Sequence, residues 1–210
     1  REVAEKIKAD GCEKATIGIA GLYNSLPHHD FTLLQKELPG VTFIDGSGIL
    51  SCVRTVKSPE EIDLIRATTE IADDSYKLLL EIFRPGINER EIMAEINKLL
   101  ILRGVEETLI LTAKGRSFPC FISPPGHYIF REGDHYVFSI EIAGPDGYWS
   151  QIVRPLCLGR PSPGYDRLLE IGRKALEKGL SNLLPGKHVN DVVKAIAEEA
   201  HENGFKSGLW

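Results

Sequence analysis

The sequence predicts an α/β (α+β) fold of two duplicated αβ halves, with antiparallel sheet inside and helices outside. The end of a separate αβ domain precedes them. Three observations carry this. Tyr136 to Ile142 alternates polar Ser139 and Glu141 with apolar Phe138, Ile140 and Ile142. That is the period of a strand, and a second apolar run, Tyr148 to Leu158, follows across a Gly-Pro-Asp-Gly turn, so the pair reads as a hairpin. The order helix, Pro-Gly, helix, Gly occurs twice at one offset: Pro85-Gly86 and Pro185-Gly186, Ile92 and Val192, Ile96 and Ile196, Gly104 and Gly204. A fixed offset points to an internal duplication. Finally, residues 1–50 hold an αβ pattern too short to close a sheet of its own.

Arg1 to Asp10 reads as the tail of a helix stopped by Gly11, and Ala15 to Ala20 and Val41 to Ile44 read as strands. Between them lies a helix, Phe31 to Glu37, with Asp30 placed as its N-cap and His28 and His29 in the preceding loop. Ser51 to Ser58 reads as a connector. Ser58-Pro59-Glu60-Glu61 is a helix start, and Ile62, Ile65, Thr69, Ala72, Tyr76 and Leu79 follow in phase up to Pro85-Gly86. Asn88 to Arg103 is a second helix, with Gly104 as its stop. A strand over Thr108 to Thr112, a loop over Phe118 to Gly126 and the hairpin complete the first half. Helices over Tyr165 to Leu183 and Val189 to Asn203 begin the second. Two amphipathic helices without a sheet to cover would expose their apolar faces, so the natural protein is expected to be longer than this chain. The missing initiator Met gives the same expectation at the other end.

The 210 residues are 42% hydrophobic and 26% charged, an ordinary globular composition. A net charge of −5 without a basic run argues against nucleic acid as a partner. No apolar stretch has the length of a membrane span, and the amino terminus is amphipathic rather than a signal peptide. Cys12, Cys52, Cys120 and Cys157 lack metal-binding spacing and read as reduced, mostly buried thiols of a cytoplasmic protein.

Glu141, Gln151 and Arg154 are the polar residues a largely apolar hairpin must account for. A buried carboxylate or amide without a partner costs on the order of 2–7 kcal/mol. Either one face of the hairpin meets solvent or it carries a site. Arg154 reads as an ion-pair partner for Glu141 or another buried carboxylate rather than as a catalytic group. Tyr148 and Trp149 are core or a pocket wall, and His127, after a Pro-Pro-Gly turn, is a solvated loop residue or a general acid/base. There is no Ser-His-Asp arrangement, Walker loop or Gly-x-Gly-x-x-Gly.

Val53-Arg54-Thr55-Val56-Lys57-Ser58-Pro59-Glu60-Glu61-Ile62 resembles the opening of the pita-bread domain of Xaa-Pro aminopeptidases, prolidases and creatinase. Pro85-Gly86, Glu89 and Glu91, Gly133-Asp134, Gly147-Tyr148 and Arg154 follow in the order of that family. The resemblance runs from about Leu50 to Trp210, with Arg1 to Ser47 similar to the end of a creatinase-type N-terminal domain. It implies an N-terminal remnant at 1–50 and a pita-bread domain at 51–210, with its first half at 57–160 and the start of the second at 161–210. It implies a hydrolase of a C–N bond in a peptide or small amide, or a relative that has lost its chemistry and kept the pocket. It also implies a homodimer.

Active peptidases of this family hold two divalent metals between two hairpin Asp residues and a His and two Glu of the second half. The two hairpin positions fall here on Glu141 and Gln151, so a dinuclear centre is not expected: no metal, or one weakly bound divalent ion. Creatinase works without metal, using a His as acid/base. The matching position is Ile122, and His127 and His135 are the nearest histidines. The resemblance therefore gives His127 as catalytic, Tyr148, Trp149 and Arg154 as substrate-binding, and Glu141 and Gln151 as the metal positions.

Overall fold

A computed structural model describes residues 1–116 and 121–205. The chain divides into two compact units, residues 1–62 and residues 63 onward.

In the first unit, helix α1 (Glu2–Ala9) leads into strand β1 (Thr16–Ile19), helix α2 (His28–Glu37) and strand β2 (Thr42–Asp45). β1 and β2 are parallel, with Ile17 opposite Phe43, and Phe31 of α2 meets Phe43 edge to face at 5.7 Å. Two expectations fail here. Asp30 does not cap α2, because the helix begins at His28 after Pro27 and leaves Asp30 in its first turn. An acidic side chain there still opposes the helix dipole. Ser51 to Ser58 is not a mere connector: Ser47–Thr55 is a helix, α3. It is started by Asp45, whose Oδ1 accepts from the Ser47 N–H at 3.0 Å and from its hydroxyl at 2.6 Å. Those hydrogen bonds lower the Asp45 pKa.

Helix α4 (Pro59–Ile82) starts where expected. The Glu61 N–H donates to Ser58 Oγ at 3.2 Å, and Glu61 Oε2 accepts from the Ser58 N–H at 2.6 Å, closing a capping box. Helix α5 (Glu89–Leu102) carries a second box between Asn88 and Glu91. Strands β3 (Glu107–Gly115), β4 (His135–Ala143) and β5 (Trp149–Cys157) form one antiparallel sheet with β4 in the middle. The core of this unit lies between the sheet and the helix pair. Ile71 and Leu79 of α4 and Ile92, Ile96 and Leu100 of α5 pack with Tyr136, Phe138, Ile140 and Ile142 of β4.

Helices α6 (Pro163–Asn182) and α7 (Val189–Glu202) repeat the first helix pair. Ser162 caps α6, and His188 closes a box with Asp191 at the position matching Asn88 and Glu91. The repeat extends to backbone conformation. Gly86 and Gly186 have φ of 86° and 83°, and Gly104 and Gly204 have φ of 76° and 80°, a region open to glycine but strained for other residues. Helix pair, sheet inside and a second helix pair are the α+β architecture expected.

Residues 118–120 of the expected loop lie outside the described residues, as does Cys120. Cys12, Cys52 and Cys157 are free, but Cys52 is exposed and the other two only half-buried, so the expectation of mostly buried thiols fails. Cys52 lies on α3.

Gly144, at the start of the hairpin turn, allows α4 to approach closely. A Cβ there would overlap Thr68 Oγ1 and lie 3.2 Å from Thr68 Cβ and 3.3 Å from its Cγ2. Gly144→Ala should therefore cost about 1–3 kcal/mol, the usual range for overpacking. In urea unfolding, Thr68→Ala combined with Gly144→Ala should cost clearly less than the sum of the two single changes, because it removes the overlapped atoms. Additive costs would show that the strain lies elsewhere.

Candidate functional site

The continuous register of β4 and β5 sorts the hairpin side chains into two faces. Even-numbered Tyr136, Phe138, Ile140 and Ile142 are fully buried against α4 and α5. Odd-numbered residues point the other way. There Glu141 stands directly opposite Gln151, and Ala143 opposite Trp149. Gln151 Nε2 donates to Glu141 Oε1 at 2.8 Å. Leu109 of β3 lies on the other side of Glu141. Leu109, Trp149 and Val153 of this face are 45–50% exposed. The pair is thus a carboxylate held by a neutral amide, on a sheet face with exposed apolar neighbours.

Arg154 is on the opposite face. It pairs with Phe138, its guanidinium lies 6.0 Å from the centre of the Tyr76 ring of α4, and its Nη1 donates to the Val153 carbonyl at 3.1 Å. Of the partners expected for Arg154, Glu141 is ruled out by parity: Arg154 lies three positions beyond Gln151, and an odd step along a strand changes face. Tyr148 is half-buried in the turn, and its carbonyl accepts from the Gly144 N–H at 2.9 Å. His135 is buried and stacked on Tyr165, with ring centres 4.0 Å apart and planes 12° from parallel.

His127 is exposed in the loop that returns along β3 and α5. Ser123 and Thr112 exchange backbone hydrogen bonds of 2.8 and 2.9 Å. Further on, the Glu89 N–H donates to the Tyr128 carbonyl at 2.8 Å, and the Phe130 N–H to the Ile87 carbonyl at 3.0 Å. Beneath this loop lies a polar cluster that the sequence reading did not find. Glu89 is completely buried. Its Oε1 accepts from Thr112 Oγ1 at 2.7 Å. Its Oε2 accepts from the Gly126 N–H at 2.6 Å and pairs with Lys114 Nζ. Burial, and then the negative charge of Glu89, push the Tyr136 phenol well above its ordinary pKa. In sequence, Glu89 looks like any acidic first-turn residue. The available signal was Lys114, a cation on the helix-facing parity of a strand that must find an anion. A second buried carboxylate, Asp134, takes the Tyr128 hydroxyl at 3.0 Å and the Arg131 N–H at 2.8 Å on Oδ2.

Among the described residues, no three His, Cys, Asp or Glu side chains come together as a metal-binding group. The hairpin pair supplies one carboxylate and one amide, and that amide is already hydrogen-bonded to the carboxylate. Two cations held a few ångström apart need anionic oxygens between them, because their mutual repulsion grows steeply at short range. The donor set at Glu141 and Gln151 does not fit such a centre.

Comparison with known proteins bears on the family and the fold. Residues 63–209 match metallopeptidase family M24. The chain is 28% identical over 205 residues to an uncharacterized hydrolase/peptidase, y4tL, of Sinorhizobium fredii, covering 94% of this chain and 51% of that protein. It is 28% identical over 194 residues to an ectoine hydrolase of Halomonas elongata, covering 85% of this chain and 47% of the relative. The chain spans about half the length of these curated relatives. Among solved structures, the prolidase of Pyrococcus horikoshii superposes with a TM-score of 0.83 at 24% identity, over 96% of this chain and 57% of that one. The fold is the pita-bread fold of those enzymes, with α6 and α7 as the described part of the second half. The chain belongs to metallopeptidase family M24.

Proposed function

We propose that this chain is part of a hydrolase that cleaves a C–N bond in a peptide or small amide by general acid/base chemistry, without a dinuclear metal centre. The observation that carries the reading is the 2.8 Å hydrogen bond from Gln151 to Glu141, at the two positions where the resemblance puts carboxylate ligands. Hydrolysis of an amide requires three things. A base must take a proton from the attacking water, a donor must steady the oxyanion, and an acid must protonate the leaving nitrogen. In this reading His127 exchanges the proton. Glu141 accepts a hydrogen bond from a substrate N–H or faces a cationic group. Gln151 has spent one amide hydrogen on Glu141 and keeps the other for a substrate carbonyl. Trp149, exposed on the same face, forms a wall for the substrate. Tyr148 and Arg154 complete the proposed substrate-binding set. Arg154 would act from the helix-covered face, through the position of the strand.

The proposed setting is a cytoplasmic homodimer with a small-molecule or peptide substrate and no nucleic-acid or membrane partner. No described helix is long and apolar enough to cross a membrane. The proposed domain division stays at 1–50 and 51–210. A second reading, a binding protein without chemistry, is favoured by the same neutral Gln151 and is separated by the assays below.

Elemental analysis of the dialysed full-length protein should find no more than one weakly held divalent metal per subunit, and Gln151→Asp should hold more. Two tightly bound metals in the wild type would sink the proposal.

Xaa-Pro dipeptides, creatine and ectoine are the substrates to assay, with and without chelator. The expected result is turnover of at least one, unaffected by chelator. His127→Ala should lower it by about 10²–10⁴-fold, the usual weight of a positioned acid or base, and Glu141→Ala should act on substrate binding, raising KM. Wild-type protein that binds one of these compounds and turns over none would favour the binding reading.

A further inference from the structure

Glu89 is the most deeply buried charged side chain among the described residues, and nothing proposed above uses it. The loop it holds has an unusual shortage of backbone donors. Pro124 and Pro125 have no N–H, so Gly126 carries the one donor between Ser123 and His127. That donor goes to Glu89 Oε2 at 2.6 Å. The carboxylate cannot follow the loop, because Thr112 Oγ1 holds its other oxygen at 2.7 Å and Lys114 pairs with it. The segment is thereby fixed at three points: Ser123 on Thr112, Gly126 on the Glu89 side chain and Tyr128 on the Glu89 backbone. His127 lies between the last two and is exposed. Its imidazole is free to meet a substrate while its backbone is held on both sides.

We propose that Glu89 is a positioning residue: its carboxylate clamps the peptide bearing His127 and so sets where that imidazole stands when it exchanges a proton with substrate. The proposal rests on the reading of His127 as the acid/base group. Lys114 serves the clamp by pairing with the carboxylate from the strand side, so that the oxygen that accepts from Gly126 is held from two directions. Glu89 touches no reacting atom in this role. Its loss should spread the orientations of His127 without altering substrate contacts, lowering kcat and leaving KM.

The test uses the full-length protein with two variants, Glu89→Gln and Glu89→Gln combined with Lys114→Met. The double change removes both charges of the buried pair together and so keeps the fold where the single change strands a cation. Amide hydrogen exchange is followed at Gly126 and His127 and, as reference, along β4 and β5. Exchange at Gly126 should rise at least tenfold in the double variant, with the reference amides unchanged. For any substrate the wild type turns over, kcat should fall tenfold or more with KM within twofold. Unchanged protection at Gly126, or an equal rise throughout β4, overturns the clamp. Faster Gly126 exchange with kcat unchanged overturns the positioning role. A wild type that turns over no substrate overturns the acid/base reading of His127 and the catalytic part of this proposal with it, and the Gly126 exchange still decides the clamp.

Discussion

Strand β4 is hydrogen-bonded along both sides, to β3 and to β5, and its even-numbered side chains are completely buried beneath α4 and α5. Its register therefore has no freedom. A slip of one residue would turn Phe138, Ile140 and Ile142 away from the helix pair and put Glu141 against it, removing the apolar contacts of the core. The position of Glu141 opposite Gln151 follows from this constraint rather than from any attraction between the two. The hydrogen bond they make is exposed, and a bond of that kind adds only about 0.5–1.5 kcal/mol. The core fixes the site, and the site contributes little in return.

The same constraint separates two kinds of polar group. On the face turned from the helices Glu141 has one neutral partner, Gln151. On the helix-covered side Glu89 has an ammonium, a hydroxyl and a backbone N–H. A carboxylate without solvent needs that many donors, because a buried polar oxygen left without a partner is costly. The arrangement ties the amino end of α5 to β3 and to the returning loop. One buried ion pair thus joins three elements distant in sequence.

The helices and the hairpin were legible from local signals. Ser58-Pro59, the Gly104 and Gly204 stops and the polar-apolar alternation of Ser139 to Ile142 act within a few residues, where sequence neighbours are also spatial neighbours. The one-hundred-residue repeat was legible for the same reason, and its glycines share their φ values. The failures have equally specific causes. Asp30 reads as a cap in sequence because caps and first-turn acids favour the same residue types. α3 was missed because Ser47, Gly48 and Ser51 weigh against a helix, while the Asp45 carboxylate that starts it lies outside the window. Charge alone makes Glu141 one natural partner for Arg154, and strand parity forbids it.

The sequence by itself determined the order of elements apart from α3, the duplicated helix pairs, the family-like hairpin and the replacement of a second carboxylate by Gln151. These depend on residue identity and on spacing of a few positions. Tertiary structure alone decided that Glu141 and Gln151 bond to each other, that Arg154 lies with Tyr76, and that Glu89 is buried under the loop of His127. Each of these depends on which residues of separate elements come within about 3 to 6 Å. That distance is set by packing around β4, and no local pattern carries it.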